Sequence, residues 1–508
     1  MATDTSIEWA DKTWSPIIGC DRVSPGCDSC YAISTAHIRT SNPRPAIAAA
    51  FAGTTHKADG RIDWTGQINL LEDRLLQPLS WKKPVKVFVN SQSDLFHKNV
   101  PTEFIARIFA VMALTPQHTY QILSKRHARM RSLLSSQDFQ HQVAKGIDAI
   151  SVDLSHDPNE EWADIPGFPG YQASTHGNLR GSKGALSTCV NPQTGRHVVT
   201  LWNSGNPSTQ AVHRLVLLAH MPNTDKELEV CHRNGDKTDN RLANLRWGSR
   251  SENQREKVRH GSRGGPQKLT QAQVEEIRKA RKAGRTQQSI ADEFGVSRPL
   301  ISMIQNGKAW STPDLVWPLP NVHLGVSVEN QEWADIRIPA LLDTPAAVRW
   351  ISAEPLLGPV DLTRYLLAHP SGLQDDWTHG LNWVVAGGES GPKARPMHPD
   401  WPRGLRKQCA DAGVPYLFKQ WGEWGVDWPL GDDGRILTTR RGLGITVAND
   451  GTVYQPGDLT YPNGPRYGEA LRANHGQAHL TAMYRLGKKK AGRELDGRFH
   501  DEFPAVTA

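Results

Sequence analysis

The sequence predicts an α/β fold, a full or partial (β/α) barrel split by a long insertion, and three observations carry that reading. Short β-branched or aromatic runs recur, each followed by a stretch of helical periodicity. That rhythm stops near Ile150 and resumes near Val322. Charge changes with it: residues 176–312 hold 22 Lys and Arg against 11 Asp and Glu, so a chain of net charge +7 carries −4 everywhere else. A positive surplus gathered in one segment marks that segment as the part that would meet a polyanion.

The strand-like runs are Lys86–Ser91, Tyr120–Lys125, Val322–Ser327, Val348–Glu354, Leu381–Glu389 and Val414–Lys419. Near-continuous apolar strands alternating with helices imply a parallel sheet covered on both faces. Neither flank has enough strands to close a sheet, so residues 1–154 and 313–425 are read as two halves of one barrel. The Gly-, Arg- and Asp-rich stretch 426–508 has weak periodicity and is read as a partly ordered C-terminal appendage. Such a barrel places its chemistry at the C-terminal strand ends. Ser91, Asp94, Lys125, Glu329, Glu354, Glu389 and Lys419 fall there. Any one of them could merely cap a strand; recurrence at every strand end points to a site. No run approaches the roughly 18 apolar residues of a membrane span. The start, Met1–Thr5, lacks the basic-then-apolar run of a secretory signal, so a cytoplasmic protein is expected.

Three of the six cysteines lie in Cys20-x6-Cys27-x2-Cys30, between the strand-like Trp14–Gly19 and the helix-like Tyr31–Ala36. This is no disulfide framework, and the three read as metal ligands. Three thiolates leave one position open, which suits a 4Fe-4S cluster whose free iron binds S-adenosylmethionine. A structural zinc completed by a fourth ligand such as His37 is the alternative. The first spacing, six residues, departs from the three usual among radical enzymes.

Ile7–Trp14, Gly19-Cys20, Gly26-Cys27-x2-Cys30-Tyr31-Ala32, Ser91–His97, Gly325–Asn330, Glu354–Val360, Gly387–Gly391 and Phe418–Gly422 together resemble the phage three-cysteine-motif family. The resemblance covers about residues 5–150 and 313–425. It implies a barrel of the radical S-adenosylmethionine type with an undefined reaction, often encoded beside a methyltransferase-like partner protein. Glu389, inside the Gly387–Gly391 string, is assigned to the cofactor beside Cys20, Cys27 and Cys30.

Within the insertion, residues 155–200 form the first module. Its Gly and Pro density around Trp162–Arg180 marks tight turns, and it resembles the small DNA-contacting module that precedes many phage HNH nucleases.

The second module, residues 201–262, carries chemistry. Val212–His220 has helical spacing with an apolar face, and Met221-Pro222-Asn223 breaks it. A strand then ends at His232, a Gly- and Asn-rich loop turns the chain, Asn244–Trp247 forms a second strand, and Ser249 or Ser251 caps a helix bearing Asn253. Phosphodiester hydrolysis needs a base for water and a hard cation for the developing charge. This ββα order of His232, Asn244 and Asn253, with its Asn-Leu-Arg-Trp and Ser-Glu-Asn strings, resembles the HNH homing endonucleases of phages. The resemblance implies that His232 is the general base, that Asn244 holds its imidazole or the loop, and that Asn253 helps bind a divalent metal such as magnesium. Some relatives place a carboxylate just before the histidine, where this chain has Cys231. Magnesium prefers oxygen, so the ion is expected to lean on Asn253, phosphate and water, or on Asp236 or Asp239. His213 reads as structural, at the start of its helix.

The third module, residues 263–312, has helix-turn-helix grammar. Thr270, Thr286 and Ser297 sit at N-cap positions and Gly295 supplies the tight turn. Ile290, Ala291, Val296, Ile301 and Ile304 form its expected core. Arg298, Ser302 and Gln305 are expected to point outward into the major groove of double-stranded DNA. No Cys or Ser with a His-Asn pair and nucleophile brackets the insertion, which speaks against a self-splicing element. The leading expectation is a metal-dependent DNA endonuclease of the HNH homing type inside a three-cysteine barrel. The alternatives are a radical-type enzyme with an inactive nuclease passenger, and a DNA-binding protein without catalysis.

Overall fold

The computed structural model describes residues 3–5, 7–155, 159–203, 205–223, 225, 227–259, 269, 273, 276–277, 280, 284–305, 315–366, 380–426, 444–455, 458 and 480–504. The chain divides into two compact units, one of residues 1–101, 115–135 and 317–508, the other of residues 102–114 and 136–316. No helix among the described residues is long and apolar enough to cross a membrane.

The first unit is built on seven parallel strands: β1 (Lys12–Trp14), β2 (Lys86–Val89), β3 (Thr119–Ser124), β4 (Val322–Ser327), β5 (Val348–Ala353), β6 (Trp383–Gly387) and β7 (Tyr416–Gln420). They lie side by side in chain order, with Thr3–Asp4 added antiparallel outside β1. The sheet is therefore an open half-barrel, since β7 does not pair with β1. Every residue of β4, β5 and β6 is buried, which is why these runs are apolar without alternation. Trp9 meets Phe88 edge-on at 4.6 Å and Trp350 at 5.3 Å, and Trp383 and Leu417 join the same apolar cluster. Gly325 makes room for this packing, because a Cβ there would lie 2.4 Å from the Trp350 indole.

The free edge of β7 is covered by the C-terminal stretch, with Leu417 bridged to Asp501 and Phe418 N–H donating to the His500 carbonyl. Covering an edge strand removes a template for unwanted pairing. Residues 480–485 also pair antiparallel with Ile445–Ala448 and with Trp424–Gly425. The described part of 426–508 is thus woven into the sheet-bearing unit rather than appended to it. Its local periodicity is weak because its partners are distant in sequence.

In the second unit, Trp162–Asp164, Gln172–Ser174, Leu179–Gly181 and Gly184–Ala185 form one small antiparallel sheet. Cys189–Val190, His197–Asn203 and Asn206–Ala211 form another. The helix Val212–His220 follows, then a hairpin of Glu229–His232 with Leu245–Gly248 and the helix Arg250–Arg259. Ile165, Ala173, Leu179, Leu201, Leu217, Val230 and Leu245 belong to one buried cluster, so residues on both sides of position 200 share a single core. Gly177 locks the two parts together: its φ is +85°, and a Cβ would fall 2.8 Å from the Asn240 backbone.

Candidate nuclease centre and the strand-end network

The hairpin register pairs Glu229 with Gly248, Cys231 with Arg246, and His232 with Leu245, which puts His232 at the loop end of its strand. The loop that follows is held from below by Asn244. This side chain is fully buried; its Oδ1 accepts from Asn234 N–H at 2.9 Å and its Nδ2 donates to the Asp239 carbonyl at 2.8 Å. Of the two tasks open to Asn244, it therefore performs the second, and fixes the loop. The His232 ring is backed instead by His213, whose centroid lies 5.2 Å away. His213, at the start of its helix, is buried, and its ring also accepts at Nε2 from the Arg196 guanidinium at 3.2 Å.

Burial pushes the His232 pKa down to about 4, with Arg196 acting the same way and Asp239 and Asp236 opposing. Burial likewise takes His213 down to about 3. Both rings are neutral near pH 7. His232 Nε2 is buried and has no hydrogen-bond partner among the described residues.

Asp236 and Asp239 are engaged within the loop. Asp236 Oδ1 accepts from the Thr238 N–H and hydroxyl at 2.9 and 2.7 Å. Asp239 pairs with Arg241 at 2.7 and 2.9 Å and accepts from Asn234. Asn253 is buried on the helix that packs over the hairpin, and its Nδ2 donates to Glu229 Oε2 at 2.5 Å. Sequence reasoning passed over Glu229, although alternation along the strand puts it on the same face as Cys231. Burial pushes the Cys231 thiol up to about 11, so it stays protonated, and it adjoins the Arg246–Glu256 ion pair.

Ser249 and Glu252 reciprocate at the helix start: Ser249 N–H and hydroxyl donate to Glu252 Oε2 at 2.7 and 2.9 Å, and Glu252 N–H donates to Ser249 Oγ. Ser249, rather than Ser251, is the cap.

In residues 263–312, Leu269, Ile277, Ala280, Ile290, Ala291, Ile301 and Ile304 are buried together, with Val296 partly buried against them. Gln287–Glu293 and Arg298–Gln305 are the two described helices, and Thr286 Oγ1 accepts from Ser289 N–H as a cap. Thr270 lies outside the described residues. Arg298 is exposed and Ser302 half-buried. Gln305 turns inward, contrary to the outward expectation: its Oε1 accepts from Gln287 Nε2 at 3.1 Å and its Nε2 donates to the Ile277 carbonyl. A glutamine at the end of a short helix satisfies its amide against the neighbouring helix more readily than a spacing rule foresees.

At the other unit's strand ends, the polar residues form a connected set. Asp94 accepts from the Ser124 hydroxyl at 2.8 Å, Lys125 N–H at 2.9 Å and Arg126 Nη1 at 3.1 Å. Glu329, fully buried, accepts from Lys125 Nζ and the Ser24 hydroxyl at 2.7 Å and from Arg337 Nη1 at 2.9 Å. Burial opposes its charge, but Lys125 and Arg337 hold its carboxyl below the usual range. Glu354 pairs with Lys419 at 2.7 Å, and Glu389 is clasped by Arg395 at 2.7 and 2.9 Å. Ser91 approaches Ser15 at 3.4 Å and its carbonyl accepts from Tyr31.

The cysteines bear differently on their expected role. Cys20 and Cys30 pack against a small apolar cluster containing Ile18, Ile33 and Phe51. Cys20 lies 3.7 Å from Arg126 Nη1, and burial pushes its thiol up to about 12; Cys30 is raised by burial too. Among the described residues no three His, Cys, Asp or Glu side chains are arranged as a metal group, so the cluster expected at Cys20, Cys27 and Cys30 is not shown. His37, the alternative fourth ligand, has its Nδ1 hydrogen-bonded to the Thr55 hydroxyl at 3.2 Å.

The family described as "Protein of unknown function (DUF5131)" matches residues 4–165 and 268–504, and "HNH endonuclease" matches residues 210–255. The chain is 37% identical over 89 residues to the DNA endonuclease I-HmuI of Bacillus phage SP01, covering 17% of this chain and 51% of that protein. It is 32% identical over 168 residues to the uncharacterized HNH endonuclease L247 of Acanthamoeba polyphaga mimivirus, covering 31% and 41%. The chain thus spans about half or less of the length of these curated relatives. A solved structure titled "DNA binding and cleavage by the HNH homing endonuclease I-HmuI" is 25% identical, covers 29% of this chain and 90% of its own, and has a TM-score of 0.19.

Proposed function

The chain belongs to the DUF5131 family, whose match leaves residues 166–267 unaccounted for, and from that premise we propose that this stretch is a guest: a metal-dependent HNH DNA endonuclease of the homing type. The gap is narrower than the insertion of 155–312 read from the sequence, because the family match resumes at 268. The observation that carries the activity is His232: a buried, neutral imidazole with an unpartnered Nε2, at the mouth of a loop pinned by Asn244.

His232 Nε2 takes the proton of the attacking water, and His213 keeps the ring from tilting away. Asn244 holds the loop on which that geometry depends. Hard oxygen donors fit a divalent cation such as magnesium, and Asn253 would hold it through its amide oxygen. When bound, that ion stabilises charge on the phosphate and leaving oxygen. Arg298 and Ser302 are assigned to duplex DNA, in keeping with the basic surplus of this part of the chain. The experiment is cleavage of duplex DNA by the full chain with and without magnesium. Replacement of His232 by Ala is expected to reduce the rate by on the order of a hundredfold or more while sparing DNA binding. Undiminished cleavage by that variant would remove the assignment.

The Asp94–Lys125–Glu329–Arg337 network supports a second, separate site in the sheet-bearing unit. No iron-sulfur or S-adenosylmethionine step is assigned to it.

A further inference from the structure

We infer that Glu229 supplies the carboxylate of the nuclease cation site, acting with Asn253, and that Cys231 takes no part in holding the ion. This rests on the nuclease reading above and names the residues that the reading leaves open.

Five carboxylates lie in the segment from Glu229 to Glu256, and four are engaged elsewhere among the described residues. Asp236 holds Thr238, Asp239 holds Arg241 and Asn234, Glu252 caps its own helix through Ser249, and Glu256 is paired with Arg246 through Oε1 at 2.7 Å, its Oε2 buried without a hydrogen-bond partner among the described residues. A carboxylate neutralised by a guanidinium or spent on a helix cap has little left for a cation. Glu229 differs: the group it meets, at 2.5 Å, is the neutral amide of Asn253. A half-turn of that amide exchanges its NH2 for its oxygen and presents two hard oxygens side by side, as a small divalent ion requires.

Cys231 offers the opposite chemistry. It is fully buried, and its Sγ would stand 2.9 Å from a Cβ on Gly248, so it fills space between the strands. A soft sulfur is a poor partner for magnesium or manganese. Alternation along the strand explains the substitution: Glu229 precedes Cys231 by two residues and shares its face, so the carboxylate reaches the helix from one pleat earlier.

The test uses the full chain carrying His232→Ala, which prevents turnover, with Mn2+ as the probe and its free concentration read by electron paramagnetic resonance, with and without a mixed-sequence duplex. Adding Glu229→Gln, which keeps the size and the hydrogen bond to Asn253, is expected to weaken Mn2+ binding by more than about tenfold. Adding Cys231→Ser is expected to leave it unchanged, and duplex affinity without metal should be the same for all three. Unweakened binding in Glu229→Gln, or lost binding in Cys231→Ser, overturns the inference. Should Glu229→Gln fail to fold, Glu229→Asp serves, since retracting the carboxylate by one methylene must raise the Mn2+ dissociation constant if Glu229 is a ligand. A parent that binds no Mn2+, joined to wild-type protein that cleaves no DNA, would instead overturn the nuclease reading itself.

Discussion

The rings of His213 and His232 are inclined by 58° at a centroid separation of 5.2 Å, so His213 is the wall against which His232 is set. Removing that wall should be felt. His213→Ala is expected to lower stability by about 2–4 kcal/mol by leaving a ring-sized void, whereas His213→Phe should recover most of it. Thermal and urea unfolding of the two variants would decide. Equal losses would mean that the contact with Arg196, not ring packing, is what the position contributes.

Acid should loosen the same region. Both histidines have folded pKa values below the ordinary 6.5, at about 4 for His232 and about 3 for His213. The unfolded chain therefore binds protons first, so the stabilisation is fully present above about pH 6.5 and is lost as the pH falls toward 4. For His232 alone the change amounts to about 3 kcal/mol. Amide hydrogen exchange in the hairpin across that window is the measurement, and protection that does not fall between pH 6.5 and 4 would contradict the burial argument.

Asn244 ties the two ends of the loop after His232 through one buried and one part-buried bond. Asn244→Ala should destabilise by about 2–3 kcal/mol, because the Asn234 N–H and the Asp239 carbonyl are left unpaired. Cleavage should fall with little change in duplex affinity, which a filter-binding series run beside the activity assay would separate. Retention of full activity would show that the loop orders itself without this amide.

Replacing residues 155–312 by a short Gly/Ser linker should leave the seven-stranded unit folded, since its strands and the Trp9–Trp350–Trp383 cluster all lie outside the excised piece. Duplex binding should disappear with the excised residues, and in the intact chain it should weaken steeply with salt. Circular dichroism, melting and affinity at two ionic strengths test this. An excised protein that aggregates would show that host and guest depend on each other for folding.

What the sequence discloses follows from how local each feature is. β2 through β7 were readable because each is a short, mostly buried run rich in β-branched or aromatic residues. His232, Asn244 and Asn253 were readable because their spacing is set by one hairpin and one helix. Glu229 was missed because attention went to the residue adjoining His232, whereas pleating makes the next residue but one its neighbour on that face. Gln305 misled because side-chain direction depends on torsions and partners that spacing does not contain. The tie between Leu417 and Asp501 joins positions too far apart for any local pattern to reveal.

The common interior of Ile165, Leu179, Leu201, Leu217 and Leu245 also constrains how this segment can change over time. A genetic crossover near codon 200 would bring together half-interiors shaped by different ancestors, and the fit of each half to the other would be lost with the exchange. Breakpoints that survive should therefore lie upstream of Trp162 or downstream of the helix that carries Asn253. Altered target preference is then open to residue-by-residue drift on the outward faces of the small strands, or to transplantation of the whole piece, but not to shuffling of its parts.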